Sequence, residues 1–155
     1  MEEKKEHIMK EHEKHESKCK CHSCVCEILK DLVEYQKENL QGEICSLQRH
    51  RESPDIIPFI LQTPYGEPFF TIGNIGKDCF VTIFFKVVKV DCEKNCAILK
   101  LLKPNRTIVD PETGCVELDK VCEVDYLIET KECVFVGLSC YNAIKLVDPK
   151  LVKKI

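Results

Sequence analysis

Apolar and polar positions change rhythm once decisively along this chain. From Val25 to Leu40, the apolar residues Val25, Ile28, Leu29, Leu32 and Val33 recur with the 3.6-residue period of a helix, while Glu27, Lys30, Asp31, Glu34 and Lys37 fill the other side. The spacing predicts an amphipathic helix, with Gly42 as its C′ stop. Such a stripe needs cover, either from the rest of the chain or from the same helix of a second copy. Residues 46–55, SLQRHRESPD, are polar and contain Pro54. Three regions follow: a charged, partly disordered arm over 1–23, the helix and a linker over 24–53, and a β domain over 54–155.

Beyond Pro54 the period becomes two. Ile57–Gln62 and Phe69–Ile72 read as strands joined by a turn at Thr63-Pro64-Tyr65-Gly66, and Gly73-Asn74-Ile75-Gly76 breaks the pattern again. The centre of the chain is FVTIFFKVVKV, residues 80–90, joined by DCEKN to CAILKLL, residues 96–102, which predicts an antiparallel hairpin. Alternation places Phe80, Phe84, Val88 and Val90 on one face and Val81, Ile83, Phe85 and Val87 on the other. Both faces are apolar, so the first strand should be covered on both sides. Further on, Thr107–Val109, Cys115–Leu118 and Val121–Ile128 read as extended, and Lys131-Glu132 reads as the turn of a last tight hairpin leading into Cys133–Cys140. The expected fold is mainly β, a sandwich or barrel of about seven short antiparallel strands with one N-terminal amphipathic helix.

A chain of 155 residues is long enough for a real core, and a net charge of -3 gives no reason to expect a nucleic-acid partner. No apolar run approaches the length of a membrane helix, and the start, MEEKKEHIMKEHEKHE, has no apolar h-region, so synthesis in the cytoplasm without a signal peptide is expected. Against that expectation stand twelve cysteines: Cys19, Cys21, Cys24, Cys26, Cys45, Cys79, Cys92, Cys96, Cys115, Cys122, Cys133 and Cys140. This is a disulfide-scaffold count in a chain read as cytosolic. The thiols therefore bind metal, pack as reduced residues, or oxidise later.

The densest cluster, CKCHSCVC, gives Cys19, Cys21, His22, Cys24 and Cys26 as candidate zinc or copper ligands. It lacks a second spaced pair, since only Cys45 and His50 follow nearby, and Val25 after Cys24 excludes a haem-attachment motif. The arm also carries His7, His12 and His15, but His12-Glu13-Lys14-His15 is one residue short of the zinc-protease spacing. No histidine follows His50, which argues against a Cys–His hydrolase. GNIG lacks the residues of a phosphate loop, and Glu123 and Asp125 read as solvated rather than as a catalytic acid pair. No catalytic residues and no cofactor are assigned.

Several blocks, in order, resemble the CotY/CotZ/ExsY family of spore coat and exosporium proteins. They are Ile57-Pro58-Phe59-Ile60, Gly73-Asn74-Ile75-Gly76, Cys79-Phe80 through Phe84-Phe85-Lys86-Val87, Cys96-Ala97-Ile98-Leu99 with Leu101-Leu102, Cys122-Glu123-Val124, Cys133, and Leu138-Ser139-Cys140-Tyr141-Asn142-Ala143-Ile144. The similarity covers residues 57–152 well and the helix loosely. It implies a structural, non-enzymatic protein of the spore surface, made in the mother-cell cytoplasm and later oxidised. By the same resemblance its partners are copies of itself, in a disulfide-cross-linked two-dimensional lattice, and other coat or exosporium proteins. Cys79, Cys96, Cys122, Cys133 and Cys140 match the family's cysteine blocks, and all twelve cysteines are cross-link candidates. Where the family usually reads CFCAIxC near its end, this chain has Cys140, Asn142 and Leu146, so two cross-linking positions are missing. The alternative is a thiol-rich zinc or copper protein using the N-terminal cluster.

Overall fold

The computed structural model describes residues 24–38 and 56–153. The fold is mainly β with an N-terminal helix, as expected: eight strands lie in a six-stranded and a two-stranded sheet. Helix α1 spans Cys24–Glu38, and the strands are β1 (Phe59–Gln62), β2 (Thr71–Gly73), β3 (Phe80–Thr82), β4 (Phe84–Asp91), β5 (Cys96–Pro104), β6 (Leu127–Gly137), β7 (Ala143–Leu146) and β8 (Val152–Lys153). A one-turn helix, α2, covers Leu118–Cys122. The large sheet runs β7-β1-β4-β5-β6-β8, all antiparallel except β6 with β8, and β2 pairs with β3 in a separate flap.

The predicted hairpin is the centre of the sheet, β4 against β5, and it is covered on both faces. On one face α1 lays Val25, Leu29, Leu32 and Tyr35 over Phe59, Leu61, Phe85, Val87, Leu99 and Leu101. The helix stripe thus finds its cover within its own chain. On the other face Ile83, Phe84, Leu102 and Leu127 are closed in by Ile56 and Ile108, with Val109, Val116, Val121 and Val124 of the excursion between β5 and β6 packed around them. Phe85 stacks on Phe69 at 5.2 Å and lies 6.5 Å from Phe59, so three aromatic rings fill the α1 side.

Four local readings are corrected, each for an identifiable reason. The long first strand is broken at Ile83, because the buried Thr82 turns its hydroxyl to the Leu102 carbonyl at 2.5 Å and accepts the Phe84 N–H at 3.0 Å. Strict alternation also fails at Val88. A bulge between Val87 and Lys89 shifts the register, which carries Val90 to the α1 side while Val88 remains exposed. Gln36 of α1 stabilises this bulge by donating to the Val87 carbonyl at 3.1 Å while accepting the Ile57 N–H at 3.1 Å. Second, Phe69–Ile72 does not return along β1. A single bridge joins Gln62 to Pro68, and the chain then crosses to pair with β3. Gly73 permits this, since a Cβ there would fall 2.3 Å from the Phe80 ring.

Third, Val121–Ile128 is a strand only at Leu127 and Ile128, where β6 begins. Leu118–Cys122 is helical, and Val121 and Val124 meet the core by an i, i+3 spacing, whereas the alternation of Cys122, Val124, Tyr126 and Ile128 with Glu123, Asp125 and Glu129 reads as a strand. Fourth, Lys131-Glu132 is not a hairpin turn. Strand β6 runs unbroken from Leu127 to Gly137 along β5, and the extra residues form a bulge opposite Leu101. Thr130 holds that bulge by donating to the Leu101 carbonyl at 2.6 Å and accepting the Glu132 N–H at 3.2 Å. The Gly42 stop, the polar link over 46–55 and the arm lie outside the described residues.

Candidate functional site

The reactive groups of this fold are its sulfurs, and the scaffold sorts them into two kinds. Cys26 sits one position from Val25 on the buried stripe of α1, three residues before Leu29, and is only 2% exposed. Cys92 occupies the turn between β4 and β5. The two form a disulfide that ties the first turn of α1 to the end of the central hairpin across 66 residues of sequence. Cys26 is therefore not one of the exposed thiols that its place in CKCHSCVC suggested.

The other described cysteines are free, and Cys24, Cys79, Cys115, Cys122, Cys133 and Cys140 are all exposed, while Cys96 is half-buried. They fall in three places. At the disulfide end of the sheet, Cys96 pairs with Asp91 and Gly137. Leu138 donates its N–H to the Asn95 carbonyl at 2.9 Å, and the Asn95 amide donates to Ser139 at 3.4 Å, which brings Cys140 to the same end. Cys24 joins this group through the short path from Cys26. Burial pushes the Tyr141 phenol upward in pKa, and the charge of the adjacent Cys140 adds to the effect.

Along the middle, Cys133 lies opposite Lys100 on β6, and Cys79 precedes β3 in the flap. The flap reaches β6 through Glu132, whose carboxylate accepts the Asn74 N–H at 2.8 Å. In the excursion, Cys115 follows the turn at Asp110–Gly114, and Cys122 ends α2. That position makes Cys122 an exposed thiol rather than a strand-embedded one.

Among the described residues, no group of three or more His, Cys, Asp and Glu side chains could hold a metal ion. A metal held by Cys24 and Cys26 together would need the Cys26–Cys92 bond reduced, because a disulfide sulfur is no thiolate ligand. Cys19, Cys21, His22 and Cys45 lie outside the described residues, as do His7, His12, His15 and His50. Glu123 and Asp125 do not form an acid pair. Asp125 is engaged by Arg106 at 3.4 Å, and its N–H is held by Asn105 at 2.8 Å. No described helix is long and apolar enough to cross a membrane.

Given an oxidant to accept two electrons, an exposed thiol can pair with another thiol on a neighbouring molecule. This is the chemistry that the block resemblance implied, and comparison with known proteins supports the kinship. The family model for spore coat protein Z matches residues 10–149. The chain belongs to the spore coat protein Z family. Within that family, spore coat protein Z of Bacillus subtilis (strain 168) is 32% identical over 149 residues, covering 87% of this chain and 95% of the relative. No solved structure matches the chain. The family match starts ahead of CKCHSCVC, so the thiol-rich cluster, α1 and strands β1 to β7 fall inside it.

Proposed function

We propose that this protein is a structural, non-enzymatic building block of the bacterial spore surface that assembles with copies of itself into a two-dimensional lattice locked by disulfides. The observation that carries this reading is the placement of exposed free thiols in three separate regions of one scaffold. A molecule with one linking thiol can only dimerise, and one with two makes linear chains. Linkage in three or more directions is the minimum for a network. Each disulfide also holds neighbouring copies at high effective concentration, so weak contacts between them add up to a sheet that resists dissociation.

The reading also accounts for the conflict between cysteine number and compartment. Thiols stay reduced during synthesis in the mother cell, and they oxidise as the spore matures and meets an oxidising exterior. Exposed thiols not used between copies are available to other coat or exosporium proteins. Kinship with a spore coat protein supports the spore-surface setting.

Sizing in denaturant tests the proposal. After oxidation, protein in concentrated guanidinium is expected to sediment as large species, and the same sample with reductant as monomers. Monomers in oxidising denaturant would overturn it.

A further inference from the structure

Strand β6 pairs with β5 along its length, but among the described residues its other side is nearly bare. Parallel pairing with β8 covers only Leu127 and Ile128. From Glu129 to Gly137, no backbone hydrogen bond joins the outer side of β6 to another described residue. The flap touches this edge by the Glu132 side chain and not by backbone pairing.

Sheet edges in soluble proteins are normally blunted by charge, proline or brevity. Here β7 is four residues long and carries Lys145, and β8 has two residues. The distal half of β6, Cys133-Val134-Phe135-Val136-Gly137, has no charge and no proline. Phe135 is 81% exposed, although its neighbours Val134 and Val136 pack toward α1. By alternation, Phe135 shares the opposite face with Cys133 and, across the ladder, with Ile98.

We infer that the outer edge of β6 is a docking edge for β6 of a second copy, antiparallel and centred on Cys133. This deepens the lattice reading and rests on it. An antiparallel edge is self-complementary about a two-fold axis, so a second copy supplies the missing donors and acceptors without any new sequence. Cys133 is the midpoint of the open stretch from Glu129 to Gly137, so this register uses all of it. Lys131 then faces Phe135 of the other copy, Glu132 faces Val134, and Glu129 faces Gly137, so no like charges meet. The two Cys133 residues face each other, and directly opposed residues lie about 4.5–5.5 Å apart at Cα, inside the disulfide range. Closure is a two-electron oxidation. A small disulfide oxidant accepts the electrons and protons of both thiols, leaving one Cys133–Cys133 bond and two small thiols.

The test uses the full chain oxidised with glutathione disulfide, followed by non-reducing peptide mapping. A Cys133 peptide linked to its own copy can arise only between molecules. It is expected as a major product, and Phe135→Lys should lower its yield by roughly tenfold, because each dimer then sets two lysines against Lys131. Phe135→Glu should largely keep it by facing Lys131 with an opposite charge, and Tyr65→Lys, at an exposed aromatic far from β6, should leave it unchanged. Thermal unfolding of each variant confirms that the fold is intact. Large assemblies without a Cys133–Cys133 peptide, or a yield indifferent to Phe135→Lys, would overturn the edge contact while leaving the lattice reading standing. A Cys133-linked dimer that never grows further would support the edge and overturn the lattice.

Discussion

Replacing Phe85 by alanine is expected to remove about 3–5 kcal/mol of stability, a large share of what a domain of this size has. Phe85 is fully buried near the start of β4, where it pairs with Phe59 and Leu101 across both neighbouring strands. Its ring stacks on Phe69, which in turn meets Tyr141 at 5.5 Å. Truncation therefore leaves a cavity beneath α1 that no flexible neighbour is placed to fill, since the strands on either side hold the backbone. Urea unfolding of the reduced protein should show the loss as a lower midpoint with an unchanged slope. Phe135→Ala, on the exposed face, should shift the same midpoint little. Equal effects from the two substitutions would mean that the aromatic cluster is not the core.

The second large effect concerns the Cys26–Cys92 bond. Closing a loop of 66 residues removes unfolded-state entropy worth about 4 kcal/mol on the chain-entropy estimate. Cys92→Ser should therefore cost about 2–4 kcal/mol, and reductant should cost the wild type a similar amount while leaving the variant unmoved. Cys92 is the better side to change, because it is half-exposed and its hydroxyl replacement keeps contact with water. Serine at the buried Cys26 would add an unpaired hydroxyl inside the core. Differential scanning calorimetry with and without reductant on both proteins checks this. Loss of the bond should first loosen the start of α1, since Leu29, Leu32 and Gln36 still hold the rest of the helix to the sheet. A wild type indifferent to reductant would mean that this disulfide does not support the fold.

These two expectations show which parts of the molecule were legible in the sequence. The α1 stripe and the β4–β5 hairpin could be read because their signals are local: a 3.6-residue period, and two apolar runs joined by a short polar turn. The bulges at Val87 to Lys89 and opposite Leu101 could not, because each is held by a distant side chain or by a hydroxyl turned back on the backbone. Lys131-Glu132 looked like a turn since a polar pair between apolar runs is the common hairpin signature, yet neither residue favours the positive φ of a tight turn. Glu123 and Asp125 imitated a wet strand face because they alternate with Cys122, Val124, Tyr126 and Ile128, while the helical spacing of Val121 and Val124 rests on a single pair of residues.

The pairing of the sulfurs was not legible in the sequence. Twelve cysteines left metal binding, reduced packing and later oxidation all open, and a partner 66 residues away leaves no local mark. The one available signal was that Cys26 falls on the apolar stripe three residues before Leu29, which marks it as a core position. The edge of β6 left open among the described residues was hidden by the false hairpin. Once the strand is seen to be continuous, Phe135 becomes an apolar residue with no cover among the described residues.

The measurement that bears most directly on the account is electron microscopy of the full-length protein after oxidation, beside a reduced sample of the same preparation. The account predicts ordered sheets that survive boiling and disappear only when reductant is added. Monodisperse particles in both samples would contradict it, and would leave membership of the spore coat protein Z family as a statement about kinship and fold alone.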